Sequence, residues 1–392
     1  MRAFYVEADK VPKPGYVFSP SELKNNDVLR GNQVWKNIRG SVTDRPMPVC
    51  GDDQVLLKIG AAGICGTDMH LLRQDADGYS MYDGHTRYPI IIGHEFAGEV
   101  VEVGKNVSKL VVGDLVSVES MNWCGECEAC SRGYFNQCKE LEEPGLTYDG
   151  GFAEYCAVKA KYCHKLNDIM DYYGGDKMTA FEMGAMIEPT GVAYNGLFVN
   201  GGGLRPGGHA AVFGAGPIGL AATQLLKTSG VAKLFVFESV PERMELAKAC
   251  GADYVMDPTS FKSADDEAEW LMDMTHGRGI SLFAECAGAT KFTYPVMAKA
   301  IAIGGKTVQI GHTMGITPVD IFNWQWNAAT IAGSNGQSGL GIYDDVAALM
   351  ASGRIDMRKM ISGRFNLEDI EEGFKIMSGK VLVSTEYPRL QK

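Results

Sequence analysis

No apolar run in this 392-residue chain approaches the ~20 residues a helix needs to cross a bilayer. Positive charge is also in deficit. The 37 Lys and Arg stand against 48 Asp and Glu, and the formal charge of -11 repels nucleic acid and anionic membrane surfaces at long range, so neither is expected as a partner. Repeats, low-complexity tracts and Pro-rich linkers are missing, and with 22% charged residues there is too little polarity for extended disorder. No secretory leader is recognisable. Six of the ten cysteines (Cys50, Cys65, Cys156, Cys163, Cys250 and Cys286) are scattered without a pairing pattern, which disfavours a disulfide framework and makes a reducing cytoplasm the expected compartment.

The other four cysteines are concentrated. Cys124, Cys127, Cys130 and Cys138 form C-x2-C-x2-C-x7-C inside WCGECEACSRGYFNQC. Four thiolates at such spacing suit a closed tetrahedral Zn2+ site that shapes a loop without redox chemistry. A ferredoxin-type cluster would read C-x2-C-x2-C-x3-C-P, whereas here the last interval is longer and Lys139 follows the final cysteine.

The length favours two domains. From residue 209 onward short apolar runs alternate with helical patterns: HAAVFG, a helix over 217–229, KLFVFE, a helix over 241–250, ADYVMD, a helix over 264–276, SLFAECAG, a helix after Thr290, KTVQIG and AATIAGS. Six buried strands separated by helices predict an α/β fold of Rossmann type, a doubly wound parallel six-stranded sheet. The first 190 or so residues instead show strands, such as 54–59 and 98–103, joined by Gly-rich turns. GGGLRPGG, residues 201–208, is a candidate hinge. A helix near 343–352 and a strand near 381–385 could rejoin the first domain. The expected division is therefore 1–191 with 338–392, and 192–337.

Gly214, Gly216 and Gly219 form G-x-G-x-x-G, with Pro217 and Ile218 inside it, where a strand ends and a helix begins. The glycines allow a tight turn, close approach to a pyrophosphate and close helix–strand packing, and the helix N-terminus supplies N–H donors. Glu238 closes the next strand, where a carboxylate accepts from ribose hydroxyls and repels a 2'-phosphate. NAD is expected rather than NADP; Arg243 is placed to flank the adenosine or attract a phosphate.

Cys65 lies in GICGTDMH and His94 in GHEFAGEV. A thiolate, an imidazole and one carboxylate would make a catalytic zinc site with an open position, and Glu95 and Glu188 are both candidates for the carboxylate.

With GHEFAGEVVEVG, CGECEACSRGYFNQC and GAGPIG, the chain resembles the zinc-dependent medium-chain alcohol dehydrogenases from about Val55 to its end, and GGGLRPGG and EPTGVAYN are similar to the sorbitol dehydrogenase-like and scyllo-inosose 3-dehydrogenase-like polyol branch. The resemblance implies a GroES-like, mostly-β catalytic domain beside the Rossmann domain. It puts catalytic zinc on Cys65, His94 and Glu188, with Glu95 a ligand or an exchanging neighbour, for two Zn2+ per chain. Thr67 would hydrogen-bond the substrate hydroxyl, His70 would pass its proton to solvent, and Asp68 would support the zinc ligands. A homodimer or homotetramer is expected. The implied activity is NAD-dependent oxidation of a secondary hydroxyl of a polyol, cyclitol or sugar. Alternatives are a simple secondary alcohol, diol or L-threonine-like substrate. Loss of Cys65, Thr67, His94 or Glu188 would have favoured a non-catalytic NAD-binding scaffold or sensor, and loss of both the structural cysteines and the Gly-His-Glu a zinc-independent quinone reductase.

Residues 10–49 and the segment DADGYSMYDGHTRYP are long and polar. Next to a cleft they could bind several hydroxyls; as surface cover or an oligomer contact they would look the same. Glu119, Asn122 and Trp123 could reach the cleft by family analogy.

Overall fold

A computed structural model describes residues 1–313, 315–337 and 339–391. Two compact units divide the chain: Met1–Glu188 with Ile361–Lys392, and Pro189–Met360. Among the described residues no helix is long and apolar enough to cross a membrane.

The first unit is built on Gln54–Ile64, whose sequence QVLLKIGAAGI buries nearly every residue on both faces. One edge of this strand pairs antiparallel with Glu95–Val103; the other is shared by Tyr155–Lys159 and Lys380–Ser384. Leu115–Val118, Cys163–Lys165 and Ile361–Asn366 complete a seven-stranded sheet, and Arg2–Lys10 sits in a separate three-stranded sheet between Trp35–Asp44 and Ile90–Ile91. Sequence pattern ends the central strand at residue 59 because GAAG reads as a turn. It runs on because the small residues make room. A Cβ at Gly60 would overlap the Phe181 ring from helix Lys177–Ala185, and one at Gly63 would overlap the Glu95 carboxylate.

In the second unit six parallel strands, His209–Phe213, Lys233–Phe237, Tyr254–Met256, Ile280–Glu285, Ile301–Gln309 and Thr330–Gly333, lie in the spatial order 3-2-1-4-5-6. That is the doubly wound order, in which the direction of winding reverses beside the first strand while all six strands stay parallel. The expected helices appear as Pro217–Thr228, Pro241–Ala249, Ala264–Met274 and Thr290–Ala300. Phe213 stacks on Phe237 at 4.8 Å within the core.

Two expectations about boundaries differ from what is seen. The unit containing the parallel sheet extends to Met360 rather than to residue 337. Helix Ile342–Ala351 stays with it, and Gln224 of helix Pro217–Thr228 donates to the Asp356 carbonyl at 3.2 Å while accepting from the Asp356 amide at 2.8 Å. The segment 201–208 is no hinge between the units. It lies inside the second one, held by Lys306 Nζ on the Gly202 and Gly203 carbonyls at 3.0 Å and by Gly207 N on the Gly230 carbonyl at 2.8 Å.

Gly219 faces the Gly214 carbonyl so closely that a Cβ would overlap it, and Gly214 itself has φ +89°. Gly219→Ala is expected to force the turn open and lower the thermal midpoint by several degrees, read by circular dichroism; an unchanged midpoint would mean the turn yields without cost.

Candidate active site

The cysteine lobe projects from the first unit between Trp123 and Tyr162. Trp123 packs on Phe135 at 4.4 Å and Tyr162 at 5.9 Å, and its carbonyl accepts from the Tyr162 hydroxyl. Sulfur–sulfur distances are 4.0 Å for Cys124–Cys130, 3.6 Å for Cys127–Cys130 and 3.9 Å for Cys127–Cys138. Sulfurs bound tetrahedrally at roughly 2.3 Å from one zinc stand roughly 3.8 Å apart, so the four fit that ion, and they are far beyond a disulfide's reach. Backbone amides also point at them. Glu126 N and Cys127 N donate to Cys124 at 3.4 Å, and Cys124 N and Glu140 N donate to Cys138 at 3.3 Å. Such donors, led by that of Glu126, hold the Cys124 thiol below its usual range and favour the thiolate a metal needs.

The second cluster is formed where two strand ends meet. Cys65 follows Gln54–Ile64 and caps helix Gly66–Leu72; His94 directly precedes Glu95–Val103. Ligand atoms of Cys65, His94 and Glu95 all lie within 4.8 Å of one another. Glu188 is outside that group. Its carboxylate accepts from the Ser120 hydroxyl at 2.8 Å, and burial pushes it up to about 7, against the pull of His94. Asp68 is fully buried; it accepts from the Cys65 amide at 2.8 Å and stands 3.6 Å from His94 Nδ1, too far for a hydrogen bond. Its hydrogen bond fixes the Cys65 end of the cluster. Thr67 lies in the first turn of helix Gly66–Leu72 and His70 in its last, exposed to water.

Sequence reasoning missed Lys380. This side chain is 1% exposed, and its ammonium donates to both oxygens of Glu95, at 2.7 Å to Oε1, and to the Ile64 carbonyl at 3.1 Å. No signal within a few residues of position 380 announces a partner 285 positions away. Asp68, Glu95 and Glu188 are all buried beside Cys65, with Lys380 as the buried cation among them. A divalent cation would offset the remaining negative charge, so the donor set fits a metal.

Other expectations change. Glu119 is turned toward His164, 3.5 Å away, while Asn122 accepts from the Tyr148 hydroxyl and donates to the Glu119 carbonyl, both at 2.8 Å; Trp123 belongs to the lobe packing.

At the glycine loop, Gly216 precedes helix Pro217–Thr228, and a Cβ there would meet nothing within 4 Å, leaving space for a phosphate group. The Glu238 carboxylate accepts from Ala215 N at 2.9 Å within that loop, and from Ser239 N at 2.8 Å and Val240 N at 3.0 Å. It therefore staples the loop to the second strand's end. Arg243 lies 3.8 Å from it.

Removing Lys380 strands Glu95 in the interior. Lys380→Met is expected to cost about 3–5 kcal/mol in urea unfolding, with much of that restored when Glu95→Gln is added. Equal losses in the single and double variants would mean that packing, not charge, sets the cost.

Comparison with known proteins places residues 51–168 in the family described as alcohol dehydrogenase GroES-like domain and residues 217–352 in that described as zinc-binding dehydrogenase. The chain is 37% identical to scyllo-inosose 3-dehydrogenase of Thermotoga maritima over 98% of each protein. It is 34% identical to L-threonine 3-dehydrogenase of Pyrococcus horikoshii, over 86% of this chain and 92% of that one. A solved Thermotoga maritima structure, provisionally assigned as an alcohol dehydrogenase, superposes with a TM-score of 0.92 at 36% identity, covering 97% of this chain and 99% of that one.

Proposed function

The chain belongs to the zinc-dependent medium-chain alcohol dehydrogenases, and on that premise we propose that it oxidises a secondary hydroxyl of a polyol, cyclitol or sugar with NAD. The observation that carries the reading is the convergence of Cys65, His94 and Glu95 beside buried Glu188. A likeness of 37% over almost the full chain to a scyllo-inosose dehydrogenase supports the cyclitol branch. An L-threonine-type substrate is the second reading, supported by the 34% identical relative.

In this reading Cys65, His94, Glu95 and Glu188 hold catalytic zinc, and Cys124, Cys127, Cys130 and Cys138 hold a structural one. Bound zinc supplies a Lewis acid at the alcohol oxygen and NAD a hydride acceptor. Thr67 would accept the hydrogen bond of the substrate hydroxyl and take up its proton while releasing its own toward solvent by way of His70, at the wet end of the same short helix. Lys380 holds the Glu95 carboxylate in place, and Asp68 holds the Cys65 amide beside His94. Gly214, Gly216, Pro217, Ile218 and Gly219 form the pyrophosphate turn, Glu238 accepts from the adenosine ribose and repels a 2'-phosphate, and Arg243 flanks it.

A cytoplasmic home accords with ten free cysteines. Self-association is favoured by the second unit's edge strand Thr330–Gly333 together with exposed Ile303, Ile316, Phe322 and Trp326, apolar surface that a second copy would cover as a homodimer or homotetramer.

Metal analysis is expected to return two zinc ions per chain, and Cys127→Ser to return one with a lower melting temperature; a single zinc in the fully active wild type contradicts the two-site reading. Inositols, sugars, diols, monohydric alcohols and L-threonine, each assayed with NAD and NADP by absorbance at about 340 nm, test the substrate class. Fastest turnover of a polyhydroxylated substrate with NAD supports it, and fastest turnover of L-threonine overturns it. His70→Ala is expected to lower kcat near neutral pH by about 10^2-fold or more, with partial recovery as pH rises and solvent base substitutes. An unaltered pH–rate profile would remove His70 from the relay.

A further inference from the structure

Glu285 ends strand Ile280–Glu285 with its side chain fully buried, and no cation pairs with its carboxylate among the described residues. Neutral donors hold it instead. It accepts from Gly288 N at 2.9 Å and Ala289 N at 3.3 Å, in the turn that opens helix Thr290–Ala300, and from Gln309 Nε2 at 2.8 Å, at the end of strand Ile301–Gln309. Gln309 Nε2 also donates to the Gly311 carbonyl at 2.6 Å, and the Glu285 carbonyl accepts from Ile310 N at 2.9 Å and Gly311 N at 2.7 Å. The turns after the fourth and fifth strands thus close on one residue.

The turn after the first strand joins them. Cys286 N donates to the carbonyl of Phe213, the residue before Gly214, at 2.9 Å. A Cβ on Gly214 would stand 2.9 Å from that of Ala287, and one on Gly311 would stand 2.5 Å from Gly288 N and 2.8 Å from Glu285 Oε2, so no side chain separates the three turns. Burial pushes the Glu285 carboxyl up, against the pull of the Gly288 amide and Gln309. Three N–H donors converge on it all the same, and a side chain that accepts on both oxygens meets them where an amide would not. Glu238 stands in the same way on the other side of the first strand, with two amides of its own following turn and a third from the neighbouring turn. The device is used twice.

In a doubly wound sheet a dinucleotide lies across the point where the winding reverses, here between His209–Phe213 and Ile280–Glu285, and each mononucleotide half takes one side. The glycine turn and Glu238 serve the first side. We propose that Glu285 is a positioning residue for the nicotinamide half: it fixes residues 286–289 and 310–311 against the glycine turn and so sets the surface on which nicotinamide and its ribose rest, while the adenosine half binds through Glu238 without it. This rests on the NAD reading above. Cys286, Ala287, Gly288, Ala289 and Gly311 are small, so the surface they present is set by the path of the main chain. That path follows the Glu285 carboxylate.

The test titrates zinc-loaded wild type, Glu285→Gln and Gln309→Leu by calorimetry with NADH and with ADP-ribose, which keeps adenosine and pyrophosphate and lacks nicotinamide. Glu285→Gln turns one acceptor oxygen into a donor facing donors. It is expected to weaken NADH about 10- to 100-fold, the worth of hydrogen bonds to a charged group, while ADP-ribose binds as it does to the wild type. Gln309→Leu, which removes one of the three donors, is expected to shift NADH in the same direction by less, and it carries the test alone if circular dichroism shows Glu285→Gln unfolded. Equal losses for both ligands in a folded variant assign Glu285 to support of the whole unit and overturn the proposal. Unchanged NADH affinity in the folded variants overturns it as well and leaves the NAD reading standing. A wild type that binds neither ligand sinks the NAD reading, and the proposal with it.

Discussion

One buried ammonium ties together the segments that carry the metal cluster. Lys380 Nζ bonds the carbonyl of Ile64, the residue before Cys65, and the carboxylate of Glu95, the residue after His94. In water a Lys–Glu contact contributes little, but here both side chains are 1% exposed, so neither charge can be left alone. The C-terminal strand Lys380–Ser384 must therefore dock on Gln54–Ile64 whenever Glu95 is inside.

Around that tie several of the converging segments have supporting partners. Asp68 holds the Cys65 amide, Ser120 holds Glu188, and the small residues of GAAGI allow Glu95 and Phe181 to approach the strand. Metal ligation by thiolate, imidazole and carboxylate demands this, because ligands free to rotate lose affinity. The cysteine lobe follows a different economy. Its ligands lie within fifteen residues, its backbone amides point at its own sulfurs, and Trp123 packs against it through Phe135. A metal there replaces a core that so short a segment cannot build.

The nucleotide-type unit shows the same economy in its first turn. Glu238 accepts three backbone amides, including Ala215 inside the glycine turn, so the group expected to meet a ribose also sets the turn that would meet a pyrophosphate. The long polar excursions of the first unit likewise act in structure before function: residues 27–31 pair edge to edge with residues 83–86. Their polarity, which from composition alone fits surface, is satisfied by cross-links.

What was legible in the sequence is what local chemistry encodes. The C-x2-C-x2-C-x7-C spacing, G-x-G-x-x-G after an apolar run, Gly-His-Glu and Cys-x-Thr-x-x-His each place their groups within a few residues, and alternating apolar runs placed all six strands of the parallel sheet, although the fifth, Ile301–Gln309, begins five residues before its run KTVQIG. The family likeness rests on those same short motifs. What lay outside the reach of local pattern depends on which distant segments meet: Lys380 on Glu95, Ser120 on Glu188, Gln309 on Glu285, and the continuation of Gln54–Ile64 through residues that by themselves read as a turn. Sequence by itself determined the donor types and the two architectures, because backbone geometry and ligand spacing act over a few bonds. Tertiary structure alone decided which charge neutralises which, because burial, and with it the cost of an unpaired charge, exists only once the chain has closed on itself.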